Sequence, residues 1–250
     1  VKPFVKKIKK PGLNVTRAEA IKKVVSIPVI SVGRLSPELG EWLLEKGKLD
    51  LVAMGRPLLA DPELPNKVAS GKLEDIRRCT ACHCCSSFFA MAQPIRCRVN
   101  AALGREREYA IKPAERKKKV MVVGGGPGGM EAARVAALRG HEVVLCEKES
   151  KLGGLLPLAS LVKGLEIEDL PGLVRYFKTQ MSKLGVKVRL GREFNLALVE
   201  ELKPDVVIIA AGGTLTVPEI PGINRRNVLT VPELHRRVKG YLDFFGPRTL

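Results

Sequence analysis

Residues 120–147 read VMVVGGGPGGMEAARVAALRGHEVVLCE. An apolar run, a glycine-rich turn, a helix-forming run and a second apolar run follow one another without a break. Val120–Val123 is continuously apolar, as a strand buried on both faces would be. Residues 129–140 are rich in Ala, Arg, Glu, Met and Leu, which favour helix, and Gly140 ends them. HEVVLCE, residues 141–147, reads as a second buried strand, with Cys146 an interior residue of it.

Gly124, Gly126 and Gly129 satisfy the spacing G-x-G-x-x-G, and Glu147 lies 18 residues beyond Gly129. The glycine pattern alone carries little. Placed between a strand and a helix, with an acid at the end of the next strand, it has the context of a dinucleotide-binding turn. Gly124 permits the tight turn, Gly126 lets backbone approach a pyrophosphate, and Gly129 lets helix pack on strand. The helix N-terminus offers N–H groups to the phosphates. Glu147 would accept hydrogen bonds from the adenosine ribose and disfavour a 2′-phosphate, so FAD or NAD suits the turn better than NADP. A tight strand–helix turn with no ligand is the plainer alternative.

Downstream, residues 170–185 read as an amphipathic helix with Leu173, Phe177, Met181 and Leu184 in phase. Residues 186–191 and 205–213 read as two further strands. Paired glycines at Gly153–Gly154 and Gly212–Gly213 mark turns where backbone could lie close to the same dinucleotide.

Upstream, residues 17–26 read as a helix and PVISVG, residues 28–33, as a buried strand. Ser36 caps a helix with Pro37 at its first position, and Gly47 closes it. DLVAMG, residues 50–55, is a second buried strand, and residues 61–71 add a short helix. This βα alternation implies a parallel sheet. Two strands make no stable sheet alone. Either the strands after residue 119 complete it, or the chain is a piece of something longer. Residues 101–118 are charged and aperiodic and read as a linker.

Between these halves lies RRCTACHCCSSFFAMAQPIRCRVN, residues 77–100, holding Cys79, Cys82, Cys84, Cys85 and Cys97. A disulfide framework would scatter its cysteines through the chain. A zinc ribbon would need a second C-x2-C knuckle. Three close cysteines and one remote one, Cys79, Cys82, Cys85 and Cys97, suit a [4Fe–4S] cluster; zinc and a purely structural role stay open. Cys84 is left over, though it could trade roles with Cys85. His83 reads as a solvated or supporting residue rather than a ligand.

The net charge is +17, from 43 Lys and Arg against 26 Asp and Glu. The basic residues are scattered, apart from clusters at residues 5–10 and 115–120, and aromatics are 4%. That is too few for nucleic-acid stacking platforms, so no nucleic-acid partner is expected. No apolar run approaches the length of a membrane span, so no membrane partner is expected either.

The order of these motifs resembles the iron–sulfur flavoproteins related to old yellow enzyme: 2,4-dienoyl-CoA reductases, enoate reductases and trimethylamine dehydrogenase. Residues 27–72 look like the last βα units of that family's (β/α)8 barrel. The cysteine stretch is similar to its cluster loop, in a spacing nearer the trimethylamine dehydrogenase form. VMVVGGGPGGMEAA with Glu147 matches its ADP-binding half; Leu155 departs from the polar residue often found there.

The resemblance implies an α/β chain in three parts: residues 1–75 from an FMN barrel, 76–118 the cluster segment and linker, and 119–250 an incomplete Rossmann-like FAD domain. Gly33, Arg34, Gly55 and Arg56 would hold the FMN phosphate. Gly124, Gly126, Gly129, Glu147 and Gly154 would hold FAD or ADP, and Cys79, Cys82, Cys85 and Cys97 the cluster. NAD(P)H would reduce FAD, and electrons would pass through the cluster to FMN to reduce an activated C=C bond in an enoate or enoyl-CoA. An amine dehydrogenase, or an electron-transfer subunit of a split enzyme, is the alternative. The rest of the barrel, with the catalytic acid, would come from elsewhere in a longer chain or from a partner chain. A cytoplasmic location and possible homo-oligomers are expected.

Overall fold

A computed structural model describes residues 11–163 and 169–245. The basic cluster at residues 5–10 lies outside the described residues. The chain divides into two compact units, residues 1–110 with 166–169, and residues 111–165 with 170–250.

In the first unit, α1 (Val15–Lys22), β1 (Ile30–Ser31), α2 (Pro37–Glu45) and β2 (Leu51–Val52) alternate. β1 and β2 pair in parallel, Ile30 beside Leu51. Ser36 caps α2, its hydroxyl accepting from the Leu39 N–H at 3.2 Å. Val29, Leu35, Leu43, Leu49 and Ala18 pack together on one side of the pair. Both strands were expected to be buried, yet Ile30 is 58% exposed and Val32 and Leu51 each 51%. The helices cover one face only, so alternate side chains point outward.

α3 (Arg56–Ala60), α4 (Leu64–Ala69) and a single 3-10 turn (Leu73–Asp75) lead into the cysteine segment, which carries α5 (Cys84–Ala90).

The second unit is a parallel four-stranded sheet, β3 (Lys119–Val123), β4 (Glu142–Glu147), β5 (Lys187–Leu190) and β6 (Val206–Ile209), in the order β5-β4-β3-β6. This sheet is separate from β1 and β2, so the strands after residue 119 do not complete the first sheet. The chain runs outward from β3 through β4 to β5, then returns to the other side of β3 as β6. That reversal puts a crevice at the C-terminal end of β3, where dinucleotides bind in such folds.

α6 (Pro127–Leu138) crosses from β3 to β4, and α7 (Leu156–Lys163) and α8 (Leu170–Lys183) lie between β4 and β5. Met121, Val123, Val144 and Cys146 pack with Leu198 and Leu202 of α9 (Leu196–Leu202). The alternate residues Val122 and Leu145 are fully buried on the opposite face, the side of α6. The apolar continuity of both strands thus follows from helices on both faces. β6 is an edge strand among the described residues, and Ile209 is 72% exposed. α10 (Val231–Phe245) ends the described chain.

Candidate functional site

The glycine turn leaves β3 with Gly124 at φ +108°, its N–H donating to the Cys146 carbonyl at 2.8 Å. A Cβ on Gly124 would stand 2.3 Å from the Ala210 carbonyl oxygen, and one on Gly129 would stand 1.9 Å from that of Gly124. Both positions therefore admit no side chain. A Cβ on Gly126 would meet nothing within 4 Å. The turn is packed on its protein side and open at Gly126, the cradle a pyrophosphate needs.

Two loops lock it. Gly153 donates its N–H to the Gly125 carbonyl at 2.9 Å, and Gly154, at φ +56°, brings its backbone against Gly126. Glu147 is 7% exposed. It accepts from the Gly125 N–H at 2.6 Å and, through its other oxygen, from the Glu149 N–H at 2.8 Å. A carboxylate has about four lone-pair sites, so two remain for further donors. Gly125 was not singled out by spacing, yet a Cβ there would fall 2.4 Å from Leu152.

In the first unit a pocket of about 360 Å³ opens over the ends of β1 and β2. Gly33, Arg34, Gly55 and Arg56 all line it, with Arg78 and Cys79. Gly33 has φ +130° and Arg34 φ +53°, and Asn14 braces this turn through its amide N–H on the Val32 carbonyl at 2.9 Å. Burial and the neighbouring Arg56 hold the Arg34 guanidinium below its usual pKa, with Cys79 opposing. Two guanidinium groups facing one cavity favour an anion in it.

Cys79, Cys82, Cys84, Cys85 and Cys97 line a second, smaller space with Arg56, His83 and Arg98. Arg56 and Cys79 border both cavities. Burial raises the Cys79 thiol pKa; the Ala81 N–H and Arg56 oppose this, and Cys97 and Cys82 push it further up. Burial likewise raises Cys97, against N–H groups of Val99 and Asn100, with Cys82 and Cys85 adding to the rise. Cys97 and Cys82 thus stand near Cys79, and Cys82 and Cys85 near Cys97.

Sulfur donors, N–H groups aimed at them and an arginine wall fit an iron–sulfur group in chemistry. Among the described residues no three His, Cys, Asp or Glu converge on a point for a single metal ion.

α3 holds this segment at both ends and in the middle. Asp61, 1% exposed, accepts from the Arg77 N–H at 2.8 Å and the Lys67 ammonium at 2.6 Å. The Asn100 amide donates to the Leu59 carbonyl at 2.9 Å, and Arg77 donates to the Val99 carbonyl at 3.0 Å. Arg56 meets His83. None of Asp61, Arg77 or Asn100 was marked by spacing; the alternation of buried and exposed residues gives no sign of a polar clamp.

The described residues thus join a parallel βα unit and a cysteine segment to a Rossmann-type unit with a glycine turn. Residues 5–75 match the NADH:flavin oxidoreductase / NADH oxidase family, and residues 118–241 match pyridine nucleotide-disulphide oxidoreductase. The chain belongs to the iron–sulfur flavoprotein family related to old yellow enzyme.

It is 43% identical over 224 residues to an NADH oxidase of Thermoanaerobacter brockii, covering 86% of this chain and 34% of that one. A 2-naphthoyl-CoA reductase structure superposes with TM-score 0.86 at 39% identity, over 93% of this chain and 36% of that one. A 6-hydroxypseudooxynicotine amine oxidase from Pseudomonas geniculata superposes at 0.82 and 30% identity, over 92% and 37%. The chain thus spans about a third of the length of its relatives. No described helix is long and apolar enough to cross a membrane.

Proposed function

We propose that this chain is the electron-transfer section of an NAD(P)H-dependent oxidoreductase, in which reducing equivalents reach FMN by way of FAD and a [4Fe–4S] cluster. The observation that carries this reading is the wall shared by the anion-favouring pocket and the four-cysteine space, formed by Arg56 and Cys79. Such groups supply two-electron chemistry at the flavins and single-electron transfer at the cluster. The chain's own residues do the holding. Cys79, Cys82, Cys85 and Cys97 bind iron; Arg34 and Arg56, with the backbone at Gly33 and Gly55, bind the FMN phosphate; the Gly124–Gly129 turn, Gly154 and Glu147 bind the adenine dinucleotide.

The substrate reading is an activated C=C bond in an enoate or enoyl-CoA, supported by the likeness to 2-naphthoyl-CoA reductase. Amine oxidation is the second reading, supported by the likeness to the amine oxidase.

Protein purified without oxygen tests the reading, with iron, acid-labile sulfide, zinc and released flavin measured on one sample. About four irons and four sulfides per chain, with flavin, is the expected result. Zinc without sulfide or flavin would overturn it.

A further inference from the structure

One Arg56 guanidinium nitrogen, Nη1, lies 3.2 Å from His83 Nε2 and 3.4 Å from Nδ1. A nitrogen so nearly equidistant from both ring nitrogens cannot lie in the ring plane without colliding with ring atoms. The guanidinium therefore sits over the face of the imidazole. Nη1 thus directs an N–H at the ring from above its plane, a cation–π contact rather than a hydrogen bond along an in-plane lone pair. The contact engages one guanidinium nitrogen and leaves the N–H groups of the other two for an anion.

His83 has its backbone at φ +58° in the left-handed region, between Cys82 and Cys84, and lines the cysteine space. Arg56 lines both that space and the pocket carrying Arg34. The ring is thus presented by the cysteine loop to an arginine of the other cavity.

We propose that His83 is a positioning residue for anion binding: its ring is the platform that holds the Arg56 guanidinium against a phosphate monoester in the neighbouring pocket. The conformation of the cysteine loop then sets the affinity of a pocket whose walls otherwise belong largely to the βα units. The identity of the ligand as FMN rests on the proposed function; the platform itself rests on the Arg56–His83 geometry.

The test compares binding of FMN and of riboflavin to the full chain by quenching of flavin fluorescence, since their difference reports the phosphate. His83→Asn keeps a side chain that tolerates the left-handed backbone but removes the aromatic face; His83→Phe restores a face without ring nitrogens. The expected result is a loss of FMN affinity of about threefold to tenfold in His83→Asn, recovery in His83→Phe, and no effect of either on riboflavin. In an Arg56→Ala background, His83→Asn should cost nothing further. If Arg56→Ala weakens FMN while His83→Asn does not, the platform is wrong and the pocket reading stands. If Arg56→Ala leaves FMN and riboflavin unchanged, the pocket reading fails and the platform with it.

Discussion

The Glu147 carboxylate is bonded to the backbone of the glycine turn itself, 2.6 Å from the Gly125 N–H. With its other oxygen on the Glu149 N–H, it ties the end of β4 to the turn after β3. An amide at this position has one acceptor oxygen, so one buried N–H would lose its partner. Glu147→Gln should therefore cost about 1–3 kcal/mol in denaturant unfolding and weaken ADP binding as well. Unchanged stability would show that the tie contributes nothing.

Two of the fingerprint glycines should fail in different ways. Gly129→Ala drives a Cβ to within 1.9 Å of the Gly124 carbonyl oxygen and should disrupt folding of the second unit. Gly126 has ordinary φ and open space beside it. Gly126→Val should leave the thermal midpoint nearly unchanged while lowering FAD or ADP affinity at least about tenfold by crowding the pyrophosphate. Calorimetry of melting and of ligand binding on the same samples separates the two effects. Equal binding by Gly126→Val and the unaltered chain would remove Gly126 from the site.

Replacing Cys79, Cys82, Cys85 or Cys97 singly by Ser should abolish bound iron and sulfide, because each is one of four thiolates. Cys84→Ser should retain both. Iron and acid-labile sulfide assays on the five variants decide it; a cluster lost equally on Cys84→Ser would shift the register.

Patterns that depend on period or spacing were legible in the sequence. β3, β4, α6 and the three glycines follow from apolar runs and residue intervals alone, as does the Ser36 cap. What escaped was contact between segments far apart in the chain. Asp61 and Arg77, sixteen residues apart, show no spacing signal, nor do Asn100 and Leu59. Ala81, His83 and Arg34 take left-handed backbone conformations with no glycine to announce them. The exposure of Ile30, Val32 and Leu51 was illegible for a different reason. An apolar run says what a strand can bury, not whether an element covers both of its faces.

Asp61 is the buried pin of the cysteine segment. Its carboxylate satisfies the Arg77 N–H and the Lys67 ammonium, and its removal would leave both without that acceptor. Asp61→Ala should destabilise the first unit by about 3 kcal/mol and open residues 77–100 to protease. Asp61→Asn should be milder, since its one acceptor oxygen can still serve Arg77. Protease mapping reads this directly; protection equal to that of the unaltered chain would show the pin to be dispensable.

One residue before Cys79, the chain is anchored in the opposite direction by charge. Arg78 meets Glu38 of α2 through both guanidinium nitrogens, and this bond holds the Glu38 carboxyl down at about 2 from an ordinary 4.5. A group depressed in the folded state stabilises it above the unfolded pKa and loses that contribution as protons bind. The pair should therefore contribute fully above about pH 4.5 and fade as pH falls toward 2. The Glu38 side chain is 44% exposed, so the effect is modest and weakens with salt. Urea unfolding of the unaltered chain and of Glu38→Gln at stepped pH measures it. The stability gap between them should be constant at neutral pH and close through the acid window. A gap that is the same at pH 3 and pH 7 would mean that the carboxylate charge is not what stabilises this contact.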